Sequence, residues 1–433
     1  RRVLFRSRLN VLKNFKLPSV HINAVLMFVS FAAAYFISAA LRTVTATMAP
    51  ILTQEFSLQA RDLGLLSGGY FLGFAVLQIP LGGWLDRFGP KRVILTMLTF
   101  AVLGCAVFAN AHSFHSLLLA RFLCGLGVSV CLMAPLTAYR RWFNPETQLR
   151  ANSWMLMTGS LGMLCATLPV QAALPVLGWR GIFWVLAGLV VLCMALIAIF
   201  VPAWHEANKD KASQPALAAN VDSVGIWRNP AFARMVPVGF FIYGGMIAIQ
   251  TLWVGPWMTK VAGYTPEQAA GGLFAINFAM LLNYWCWGWV NPKLSARGWD
   301  AIRLMRLGLP FSLIALPLSV WLATDVPLAA SVYIPIWLVW IFYFVSSSFV
   351  SLAQPAVGMA FPAHMAGRAL TAYNLVIFMG VFTVQWAIGL GIDLFLWLGL
   401  ATLEAYKAAL AVFWLCCIAS FLHFWHHSRL ARG

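Results

Sequence analysis

Charge is what this chain has least of. Asp, Glu, Lys and Arg make up only 9% of its 433 residues, while 62% are hydrophobic. Soluble domains carry roughly a quarter charged residues, so a surface solvated mainly by water is excluded. Reactive groupings are equally scarce. No apolar segment combines paired carboxylates, a histidine-rich set or a nucleophile with its base, so neither an enzyme nor a cofactor is expected. The 8 cysteines all fall in apolar segments, where thiols act as small hydrophobes, and no disulfide or metal framework follows. The longest polar stretch, Ala203 to Arg234, is too short for the extramembrane domain of a sensor. Acidic residues are few enough to leave a net charge of +17. The basic residues sit in short loops rather than on one compact face, which excludes nucleic acid as a partner and points to anionic lipid headgroups.

What the chain does have is one apolar stretch of about 20 residues after another, each long enough to cross roughly 30 Å of hydrocarbon as a helix. Spans are expected at Asn23–Ala49, Leu63–Leu85, Val93–Ala111, Phe114–Thr137, Ala151–Leu174, Gly181–Pro202, Met235–Met258, Ala269–Val290, Leu304–Ala323, Ala329–Gln354, Leu370–Phe395 and Ala408–Phe424. The first run, Ala24 to Leu41, is too long for a signal h-region and is read as a retained helix; no function is attached to Arg1 to Asn10. Basic residues in alternate loops test the count. With the N-terminus cytoplasmic, 23 Lys and Arg lie inside and four outside, namely Arg61, Arg180, Lys260 and Lys407. The expected fold is an all-α membrane protein with twelve transmembrane helices in two pseudo-symmetric six-helix bundles. Residues 1–202 form the first bundle and 235–433 the second, joined by a cytoplasmic linker over 203–234. Both termini face the cytoplasm of a bacterial cell, the inner membrane is the location, and a monomer is expected.

Ionisable groups inside spans are costly and usually functional. Only Arg42 and Arg121 are basic and mid-span. Arg42 precedes Pro50 by 8 residues and Arg121 follows Ser113 by 8, so both lie roughly 12 Å from the outer edge. Asp393, near the outer end of span 11, is the one acidic residue arguably within a span and so a candidate for coupling. Two arginines without counter-ions repel unless an anion joins them, which points to a carboxylate, a phosphate or a similar group as substrate. Against this, Arg42 could snorkel to the interface, and Arg121 could be structural. Tyr35, Tyr70, Gln250, Trp253, Trp257, Asn277, Tyr343, Asn374 and Gln385 could complete a cavity or merely join helices.

Two motifs carry a family resemblance. The segment Gly82-Gly83-Trp84-Leu85-Asp86-Arg87-Phe88-Gly89-Pro90-Lys91-Arg92 lies between spans 2 and 3, and span 4 holds Arg121-Phe122-Leu123-Cys124-Gly125-Leu126-Gly127. Both resemble signatures of the major facilitator superfamily, which implies alternating access at a midplane site. Asp86 ends a helix whose own dipole disfavours a negative charge, so it should seek another helix N-terminus or a cation. The resemblance nominates the start of span 11, near Arg368, and makes Gly82, Asp86, Arg87, Gly89, Lys91 and Arg92 a conformational latch. The equivalent loop of the second half, Gly288 to Lys293, lacks the Asp-Arg pair. Tyr35, Arg42 and Pro50 further resemble the first helix of the organophosphate and organic-anion branches, and anion:cation symporters carry an Arg in spans 1 and 4. Leu41 stands where those symporters have Asp, and Val128 to Cys131 offer no Glu, so their proton site is absent or moved. Proton symport, anion exchange and facilitated diffusion all remain open. The main expectation is a secondary transporter of a small organic anion; the alternative is a proton-coupled exporter of drugs or siderophore-like amphiphiles.

Overall fold

The computed structural model describes residues 19–143, 145–203, 223–322, 326–329 and 332–430. Arg1 to Asn10 and most of the expected linker lie outside the described residues. Ten helices are long and apolar enough to cross a bilayer, and an eleventh crossing results if the bent pair Ala60–Val76 and Gln78–Phe88 counts as one. The two pieces meet at 46°. Pro80 has no N–H to give the Val76 carbonyl, so the hydrogen-bond ladder fails at that point.

Proline also divides residues 145–200. The helix Pro145–Cys165 ends just before Leu168–Phe200 begins, where Pro169 cannot donate to Cys165. The second helix is itself interrupted at Gly178, whose φ of 63° and ψ of 170° are not helical. That break falls between the expected spans 5 and 6.

Three expectations need correction. The first helix, Ser19–Phe56, continues through Pro50, so Pro50 does not mark its outer edge and the depth counted from it for Arg42 does not hold. Pro50 frees the carbonyl of Ala46, and Gly255 of a later helix packs against that oxygen, 3.1 Å from where a Cβ would stand. Span 10 does not begin at Ala329. Val326–Ala329 pairs antiparallel with Val332–Ile334, and the helix Ile336–Ser347 starts only after Pro335. Prolines and β-branched residues favour extended backbone there over helix, so the fold is helical apart from this small hairpin. Span 7 is not α-helical throughout, because Val238–Gly244 and Ile249–Trp253 are wound as π-helix.

Large apolar side chains such as Val176, Ile199, Ile314 and Leu422 are exposed. In a chain this hydrophobic they form the lipid-facing surface. Helices before residue 203 meet those after 223 along three lines. Gly255 lies on Ala46; Phe74 packs on Phe378 with ring centroids 4.4 Å apart, between Ala60–Val76 and Ala363–Trp397; and Gln171 donates to Glu267 at 3.3 Å.

The second motif has a packing role in this arrangement. A Cβ on Gly125 would collide with the backbone of Tyr70, so only glycine lets the helix Phe114–Val128 approach Ala60–Val76 this closely. Gly125→Val is therefore expected to force these helices apart and destabilise the protein by roughly 1–3 kcal/mol, measured as a fall in Tm of the purified protein.

Candidate functional site

The two mid-span arginines converge on one tyrosine. Tyr70 is fully buried, and its phenol donates to the Ser38 carbonyl at 3.0 Å. The guanidinium of Arg121 lies 4.8 Å from the centre of the Tyr70 ring and donates through Nη1 to the Leu41 carbonyl at 2.7 Å. That carbonyl belongs to the residue next to Arg42. Arg42 itself lies 5.9 Å from the Phe74 ring centre, one turn beyond Tyr70. Both arginines thus belong to one cluster built on Ala60–Val76, whatever their depths counted along the chain.

Their polar atoms are poorly satisfied. Nε of Arg42, and both Nε and Nη2 of Arg121, are buried without a hydrogen-bond partner. Ion pairs elsewhere include Arg61 with Asp62, Arg180 with Glu55 and Lys407 with Glu404. Among the described residues neither Arg42 nor Arg121 has a carboxylate partner. Such donors strongly favour an incoming anion, since a charge-assisted hydrogen bond would replace an unmade one. Tyr35 is buried nearby, against Gly159. Tyr243, which sequence reasoning missed, lies within electrostatic reach of Arg42 together with Tyr35 and Tyr70. It sits in the first π-helical stretch, Val238–Gly244. Its spacing of seven residues from Gln250 was the only signal.

The other nominated polar residues join helices rather than gather at the arginines. Gln250 donates to Asn277 at 3.1 Å. Gln385 donates to Thr251 at 2.9 Å, and the indole of Trp253 donates to the Gln385 backbone carbonyl at 3.1 Å. Asn374 accepts from Gln354 at 2.6 Å. Trp257, Trp340 and Tyr343 form an edge-to-face aromatic group, in which the Trp257 and Trp340 indole N–H groups lack acceptors.

At the motif end, Gly89 has a φ of 77° and joins Gln78–Phe88 to Pro90–Ala109. Lys91 is bound within the helices before residue 203. Its Nζ donates to the Ala198 and Val201 carbonyls, each at 2.7 Å, capping the end of Leu168–Phe200. Arg87 covers the ring of Phe88, Asp86 and Arg92 are exposed, and a Cβ on Gly82 would meet nothing within 4 Å. Asp393 is far from the arginines; its two carboxylate oxygens accept from the Ala60 and Arg61 amides at 3.1 and 2.9 Å.

The sequence pattern of the Major Facilitator Superfamily matches residues 31–384. A probable sulfoacetate transporter of Cupriavidus necator is 26% identical over 253 residues, 54% of this chain and 57% of that one. A cis,cis-muconate transport protein of Acinetobacter baylyi is 26% identical over 253 residues, 56% of this chain and 60% of that one. The chain thus matches somewhat over half the length of these relatives. Among solved structures, a bacterial homologue of the human lysosomal transporter Spinster, inward-facing and unoccupied, superposes with a TM-score of 0.72 at 15% identity. The superposition covers 96% of this chain and 98% of that one and shows the fold.

Because Gln385 joins two helices, Gln385→Leu should lower stability by roughly 0.6–1.7 kcal/mol and leave ligand affinity nearly unchanged. Thermal unfolding and ligand titration on the same preparation separate the two roles.

Proposed function

Because this chain belongs to the major facilitator superfamily, we propose that it carries a small organic anion across the membrane by alternating access, with Arg42 holding the negative group. It is a multi-pass secondary transporter rather than an enzyme. The observation that carries the anion reading is the set of guanidinium nitrogens, on Arg42 and Arg121, buried without partners and without a carboxylate. The names of the relatives favour the same chemistry, since sulfoacetate and muconate are both carboxylates. Arg121 is fully buried and tied to the first helix, so it positions the site; Arg42 is less enclosed and meets the ligand.

The crossing count follows from the breaks. If Ala60–Phe88 is one crossing and the chain turns at Gly178, residues 145–177 and 179–200 are separate crossings and the total is twelve. Two halves of six, divided at the linker over 203–234, then alternate about a central site. The positive-inside bias puts the Gly82–Arg92 motif in the cytoplasm and Ala60 and Asp393 outside. A reporter fused after Asn220 should therefore be cytoplasmic and one after Asp325 external. The reverse result at either position means that a crossing has been miscounted.

Arg42→Gln should weaken binding of a monocarboxylate by roughly 10- to 100-fold, and Arg42→Lys should weaken it less, since the ammonium keeps the charge and loses the planar fork. The ligand-free Tm should not fall, because the substitution removes a largely enclosed charge that has no carboxylate to balance it. Thermal shift against a panel of carboxylates, phosphates and neutral compounds measures both effects. Near-native affinity for the anion in well-folded Arg42→Gln overturns the site.

A further inference from the structure

We propose that Asp393 is a latch that closes the face of the transporter opposite the Gly82–Arg92 motif, acting on the same pair of helices as Asp86 but at the other end. The inference rests on the alternating-access reading above. Asp393 stands near the C-terminus of Ala363–Trp397, where the dipole of its own helix disfavours a carboxylate. Its charge is instead placed against the N-terminus of Ala60–Val76. One oxygen accepts from the Ala60 amide at 3.1 Å and the other from the Arg61 amide at 2.9 Å. Those first-turn amides have no carbonyl within their own helix to receive them. The latch satisfies two orphan donors of one helix with the unfavourably placed charge of the other.

The approach is built in one turn earlier. Gly389 lies on the same face as Asp393, and a Cβ there would run into the backbone of Ala60, so glycine brings the two helix ends within reach. The capped turn forms part of the wall of a vestibule of about 750 Å³, lined also by Thr53, Leu63, Pro256, Lys260 and Trp397. On the same face Gln171 donates to Glu267 at 3.3 Å, a weaker neutral-donor tie between a second pair of helices.

Asp86 and Asp393 form a reciprocal arrangement. Each lies near the C-terminal end of its own helical rod, and the two rods run in opposite directions, so the two carboxylates stand at opposite ends of the pair; Asp393 meets the N-terminal end of the other rod. Between them Phe74 packs on Phe378. Phe74 lies 14 residues from Ala60 and 12 from Asp86. This aromatic contact is a pivot near the middle of the rods, and rocking about it shortens one latch as it stretches the other. In the arrangement described, the Asp393 latch is made.

The test uses the full chain with Cys286→Ser, to remove the exposed native thiol, and Leu63→Cys as a probe. Leu63 is 5% exposed and lines the vestibule. Its rate of reaction with a hydrophilic maleimide reads vestibule opening. Asp393→Ala should raise that rate on the order of tenfold, given two charge-assisted hydrogen bonds lost in a half-exposed setting. Asp393→Asn should fall between, because an amide oxygen still caps. Asp86→Ala should lower the rate. If Asp86→Ala changes labelling and Asp393→Ala does not, the latch is wrong while alternating access stands. If both raise it, the helices have merely loosened, and the latch is again wrong. If neither substitution nor a bound carboxylate changes labelling, the alternating-access reading itself fails.

Discussion

Hydrocarbon offers a freed backbone group no hydrogen bond and gives a charge almost no solvation, so each irregularity in a membrane helix must be answered by protein. This chain shows several answers. The last carbonyls of Leu168–Phe200 receive the Lys91 ammonium, and the first amides of Ala60–Val76 receive the Asp393 carboxylate. Trp253, inside a π-helical stretch, donates to the Gln385 carbonyl of a neighbouring helix. In each case the partner comes from a different helix, so satisfying the backbone also assembles the bundle.

The arginine cluster is the exception, and its position in the interior gives that exception meaning. Tyr70 serves it twice, holding the first helix through Ser38 and offering its ring to the Arg121 guanidinium. Arg121 then fixes the Leu41 carbonyl beside Arg42. Three nitrogens still lack partners in a region that contains no carboxylate. Unsatisfied donors of this kind reduce stability, and they persist where a ligand completes them. A carboxylate-bearing substrate supplies both the charge and the acceptors.

The helix that carries Tyr243 ties this site to the helices after residue 223. Tyr243 lies in its first π-helical stretch, within electrostatic reach of Arg42 on the first helix. The same helix carries Gln250 and Trp253, both committed to bonds with neighbouring helices.

Much of this was legible in the sequence. Apolar length set the crossings, the alternation of basic loops set an expected orientation, and two motifs pointed to the family. The scarcity of charge made Arg42 and Arg121 conspicuous, since a lone arginine in lipid is too costly to be incidental. What periodicity could not show was anything that depends on two distant segments meeting. Asp393 read as an isolated carboxylate because its partners are backbone amides 332 and 333 residues away, and amides carry no sequence signal. Lys91 read as part of a latch, yet its acceptors are carbonyls of an earlier bundle helix end, equally invisible in the sequence. Tyr243 was passed over because one tyrosine in an apolar run carries no sign of which side chains it will face. The sequence by itself determined that the chain crosses a membrane many times and which charges its helices must accommodate, because both follow from composition against a fixed solvent. Only the tertiary structure decided which backbone groups those charges reach, because that depends on how closely helices far apart in the chain can pack.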